Sequence, residues 1–223
     1  MRISCSIAVC FLLLGMGGCR FKEVKKESSA TICRYHMHQI GLALRTYKIR
    51  NGAFPPPFLA DKNGMPLHSW RVLLLPYLEA QHLYDRYDFS KPWNDPQNLE
   101  IAEEGGVIYN KCISCDLPII YTAIVAVVGE GTVWDVKQRI KRDNENQPNS
   151  VMLVEALQHK THWMAPNDLN LKQVTDLETV LIEGVHGSGL HGWYANAVLE
   201  DGSTIKIAMR KGTPKLQNPL GKH

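Results

Sequence analysis

Several things this chain lacks narrow its function before anything it contains does. No Lys/Arg-rich block interleaved with aromatic residues occurs, and the formal charge is only +3, so nucleic-acid partners are not expected. The N-terminal apolar run over residues 7–14 is broken only by Cys10 and falls well short of the ~20 apolar residues a membrane-spanning helix needs. There is no Ser/His/Asp nucleophile context, phosphate-cradling glycine loop or paired-carboxylate motif, and therefore no catalytic residue to name. No internal repeat is apparent. What remains is ordinary for a folded protein: 44% hydrophobic and 21% charged residues in 223, enough for one domain with a real core.

The first nineteen residues are the most informative stretch. Arg2 gives a positive start, the apolar run follows, and Met16-Gly17-Gly18 leads into Cys19. Small residues just before a cysteine at the end of a secretory leader resemble a bacterial lipoprotein signal. In such a signal residues 1–18 are removed and Cys19 carries lipid as the new N-terminus. Met16 and Gly17 depart from the commonest residues of that signal. The expected location is the cell envelope, outside the cytoplasm and anchored to a membrane through that lipid. Residues 19–30, polar and without apolar period, read as a tether.

Cys33, Met37, Ile40, Leu44 and Tyr47 then recur at spacings of four and three, which predicts a helix over about residues 30–50 with one buried face. Asn51-Gly52 supplies its stop. Ser69 caps a second helix expected from Trp70 to about Tyr87, kinked or restarted at Pro76. Residues 119–128 form an apolar, β-branched run too continuous for a half-exposed strand, and 151–154 repeat it briefly. Glu155, at the end of that pattern, is expected in a salt bridge. Residues 139–149 read as a loop. Strand-like runs at 193–199 and 204–209 flank Glu200-Asp201-Gly202-Ser203, a hairpin in which both central residues of an Asp-Gly turn take positive φ. Helix first and strands last is an α+β order.

These segments resemble one family. Residues 33–47 (CRYHMHQIGLALRTY), 69–79 (SWRVLLLPYLE), 87–93 (YDFSKPW), 121–132 (YTAIVAVVGEGT), 149–156 (NSVMLVEA) and 163–169 (WMAPNDL) follow in order. His191 comes next, then nine residues, then Asp201-Gly202. The pattern is similar to the DUF1559 proteins of planctomycetes, prepilin-type H-X9-DG proteins also filed under a solute-binding label. The resemblance covers most of residues 31–207. It implies a pilin-like α+β fold, with a long N-terminal helix packed on an antiparallel sheet over residues 31–209, and residues 210–223 are left as a flexible tail. This chain departs from the family's type IV prepilin leader, which shifts the expectation from filament subunit to a single anchored head.

Three cysteines follow Cys19, and an odd number permits at most one intramolecular bridge. Cys112 and Cys115 have metal or redox spacing. A zinc site needs a second pair, and His159/His162 is the nearest, at a spacing unlike a finger. In the family only the first of the two cysteines has a usual counterpart, which favours a structural disulfide: Cys33–Cys112 first, Cys112–Cys115 second. No cofactor and no metal are expected. His191 and Asp201 sit near opposite ends of a strand, which at about 3.3 Å per residue separates them, so a role in pinning the hairpin is favoured over a joint site. His36 and His38, two apart on a helix, are expected at the surface. Trp70, Trp93, Trp163, Trp193 and the nearby tyrosines are read as core and loop anchors rather than a ligand cleft. The leading expectation is thus a non-catalytic anchored envelope protein that binds or scaffolds, with an envelope protein or a small molecule as partner. A solute-binding protein is one alternative. A thiol- or metal-dependent enzyme using Cys115 or His191 is the other.

Overall fold

The computed structural model describes residues 17–110, 117–135, 150–156, 159–175 and 194–208. The first element, α1 (Gly17–Asn51), is a 35-residue helix. It starts well before the predicted point near residue 30, so the stretch read as a tether is helical backbone. Lys, Glu and Arg are good helix formers and need no apolar face to extend a helix already nucleated by packing. The predicted face is confirmed: Cys33, Met37, Ile40 and Leu44 are buried and Tyr47 half-buried, whereas His36 and His38 are half-buried. Gly52, at φ +77°, ends the helix as expected.

A small hairpin, β1 (Phe58–Ala60) with β2 (Pro66–Ser69), leads into the second helical segment, which is more broken than predicted. Helix α2 (Trp70–Leu74) passes into a 3-10 turn at Leu75–Leu78, and the chain reverses at Glu79, φ +61°, before α3 (Gln81–Arg86). Pro76 near the start of the 3-10 turn lacks the N–H that an α-helix would use. Ser69 caps as predicted, its Oγ accepting from the Arg71 N–H at 3.2 Å. Two further short helices follow, α4 (Pro96–Leu99) and α5 (Ala102–Tyr109).

The run over residues 119–128 is two strands rather than one: β3 (Tyr121–Thr122) pairs with β6 (Thr161–His162), while β4 (Ile124–Val128) enters the main sheet. That sheet has the order β7–β4–β5–β8–β9, with β5 at Val151–Glu155, β7 at Leu169–Asn170, β8 at Tyr194–Leu199 and β9 at Thr204–Ala208. All its pairings are antiparallel except β4–β7.

The sheet is covered on both faces, which explains its continuous apolar runs. Ile124 and Ala126 join the large core containing Met37, Trp70 and Trp163. Val125 and Val127 point the other way, to a smaller cluster with Leu169 and with Val174 of α6 (Leu171–Thr175). On β5 both Met152 and Leu153 reach the large core, because the register shifts between Val151 and Leu153 and breaks the alternation. The architecture is α+β, a long N-terminal helix against a mainly antiparallel sheet.

Candidate functional site

The polar centre of the head is a buried ion pair that unites two of the sequence segments noted above. Arg71, on α2 and fully buried, donates from Nη2 to Asp168 Oδ1 at 2.8 Å. The same Nη2 donates to the Ile124 carbonyl at 2.8 Å, and Nη1 donates to Ser69 Oγ at 2.9 Å. Asp168, its side chain 5% exposed, also accepts from Trp70 Nε1 at 3.0 Å and from the Ala126 N–H at 2.7 Å. The guanidinium carbon stands 4.6 Å from the Trp70 ring centre. Tyr109 of α5 donates its hydroxyl to the Arg71 carbonyl at 2.7 Å, and Trp163 stacks on Tyr109. One carboxylate thus ties together α2, β4 and the segment leading into β7.

That arrangement neutralises a charge pair in low dielectric and saturates the carboxylate with donors, the condition under which a buried pair persists. Arg71 and Asp168 are each committed to the other and to neighbouring donors and acceptors. Among the described residues, Arg71 Nε and the Nε2 atoms of His159 and His162 have no hydrogen-bond partner. Burial pulls both imidazoles below their ordinary 6.5; at His159 Asp168 opposes that shift and Arg71 reinforces it. Both rings are therefore neutral at pH 7. His162 leans on Trp93 with centroids 5.0 Å apart. A third histidine, His68, is buried; it bonds through Nδ1 to the Tyr87 hydroxyl at 2.8 Å and is likewise pulled down by burial.

Elsewhere polar groups hold loops. Buried Asn98 accepts from the Asp88 N–H and donates to the carbonyls of Asp88, Lys91 and Pro92, fixing the loop before α4. Glu155, expected in a salt bridge, accepts from the amide of Asn196 on β8 at 2.9 Å. Among the described residues no group of three or more His, Cys, Asp or Glu side chains is placed to hold a metal ion.

The Asp-Gly turn works differently from the prediction. Gly202 has φ +80°, but Asp201 does not lie in the positive-φ region. The Gly202 N–H donates to the Leu199 carbonyl and the Leu199 N–H to the Ser203 carbonyl, both at 2.9 Å. This is a type I turn followed by a left-handed glycine, which needs positive φ at one residue only. Asp201 Oδ1 accepts from the Ser203 N–H at 2.8 Å, bracing the turn. The turn rests on α1: a Cβ on Gly41 would stand 2.8 Å from the Gly202 carbonyl oxygen and 2.8 Å from Val198 Cγ1. Asp201-Gly202 is therefore a helix-docking corner.

Of the other candidates, Cys33 is buried on the core face of α1. Cys112, Cys115 and His191 lie outside the described residues, as do Trp193 and residues 1–16, 139–149 and 210–223, so the disulfide pairings are not placed. Cys19 falls in the first turns of α1. Trp70 and Trp163 are core residues and Trp93 is half-buried. Sequence reasoning missed the Arg71–Asp168 pair. Its signal was present: an arginine two residues after the helix cap, inside the apolar SWRVLLL segment, calls for a partner if that segment is buried.

Residues 30–109 match the family model SBP_bac_10, described as a protein of unknown function (DUF1559). The match takes in the core face of α1 and Ser69-Trp70-Arg71, and ends before Asp168 and Asp201-Gly202. No curated protein and no solved structure matches the chain.

Proposed function

From a chain that carries the DUF1559 pattern over residues 30–109, we propose a non-catalytic, lipid-anchored protein of the cell envelope whose head binds or scaffolds. The observation that carries the reading is the course of α1. One helix runs from Gly17 through Cys19 to Asn51, so a lipid on Cys19 is joined to the core face at Cys33, Met37 and Ile40 without a break. The buried charges support the non-catalytic half of the reading, because Arg71 and Asp168 are engaged with each other and with neighbouring backbone. No helix among the described residues is long and apolar enough to cross a membrane, and a lipidated cysteine would hold the head at the surface without one.

The test is metabolic labelling with a clickable palmitate analogue in a bacterial host that processes lipoproteins. The parent chain incorporates label and sediments with membranes; Cys19→Ala incorporates none. Equal labelling of the two chains contradicts the proposal.

A further inference from the structure

The outward side of α1 carries a stripe that the fold does not use. Tyr35, Leu42 and Ile49 are 59%, 40% and 78% exposed. They recur every seven residues, so they lie on one line that drifts only about 20° per step. That line is on the side of the helix opposite Met37, Ile40 and Leu44. Exposed Arg34 borders it on one flank, as does exposed Arg45, whose side-chain stem lies over Gly202 of the β8–β9 turn, and no Asp or Glu occurs from residue 28 to residue 60. Other nearby cations turn toward the head: Lys48 meets Glu200 at 3.5 Å and sits over Phe54, and Arg50 lies over Tyr77.

We propose that this face of α1 lies on an anionic membrane surface. Tyr35, Leu42 and Ile49 enter the headgroup layer, and Arg34 and Arg45 take lipid phosphate oxygens. Apolar residues in line beside cations suit a helix lying in the interface plane. The charge argues against a second copy of this chain as the occupant, since pairing through the stripe would bring arginines together with no acid in the segment to offset them. The inference rests on the anchored reading. Cys19 is on the same helix, about 24 Å along the axis from Tyr35 at 1.5 Å per residue.

The experiment uses the full chain, carrying Tyr35→Trp, reconstituted into vesicles with brominated phosphatidylcholine. Trp70, Trp134 and Trp163 are buried, so the parent chain sets a background. The expected result is quenching beyond that background in vesicles containing phosphatidylglycerol, with most of the excess lost in an Arg34→Gln/Arg45→Gln chain. Flotation with neutral vesicles reads the anchor separately. Flotation without excess quenching overturns the surface contact and leaves the anchor standing. Excess quenching that survives Cys19→Ala, with neutral flotation absent, keeps the contact and overturns the anchor. An emission shift of the introduced tryptophan that needs no vesicles and grows with protein concentration identifies a second copy as the occupant and overturns the proposal.

Discussion

At the scale of single residues, Asp168 is where the head is most exposed to damage. It compensates a fully buried guanidinium, and removing one partner of such a pair leaves an unpaired charge in the interior. Asp168→Ala is expected to cost about 3–5 kcal/mol in urea unfolding, whereas Arg71→Met/Asp168→Leu, which removes both charges, costs less than Asp168→Ala alone. Equal loss in the two would mean that the pair is not acting as a unit. The histidines set a pH dependence. His68, His159 and His162 are all pulled below 6.5 by burial, so the folded chain resists protons that the unfolded chain accepts. Their contribution is complete above about pH 6.5 and is lost as the pH falls through that value toward the folded pKa values. The urea midpoint should therefore drop between about pH 7 and pH 5, and drop less in a His159→Gln/His162→Gln chain. A flat midpoint over that range would contradict the assignment.

At the scale of elements, the contact of α1 with the β8–β9 turn decides how helix and sheet meet. Gly52 and Gly202 both have positive φ, but a Cβ on Gly52 meets nothing within 4 Å, while one on Gly202 meets Arg45 Cδ at 2.7 Å. Gly52→Ala should cost about 1–2 kcal/mol for left-handed backbone alone. Gly202→Ala should cost more, and Gly41→Ala about 1–3 kcal/mol from crowding against backbone. Thermal melts of the three chains check the order, and equal costs would remove the docking role of the turn. The elements legible in the sequence were those that one period or one cap specifies: the face of α1, the Ser69 cap, the β8–β9 strands. The extension of α1 to Gly17 was not legible because no apolar period marks it. The break at Glu79 was hidden because a left-handed glutamate gives no compositional signal. Arg71 and Asp168 are 97 residues apart in sequence, and only the fold brings them together.

At the scale of the whole molecule, the proposed reading joins a cleaved leader, a continuous helix and a head with a buried, paired charge into one anchored design. The α+β architecture was readable from element order, and a charge of +3 on 223 residues concealed an acid-free stretch running from residue 28 to residue 60. The anchored reading turns on Cys19 being the lipidated N-terminus, and intact-mass and N-terminal peptide mass spectrometry of protein from membranes reads that directly. The expected first residue is Cys19 bearing lipid mass. An unmodified N-terminus at any other residue, or an intact leader, would contradict it.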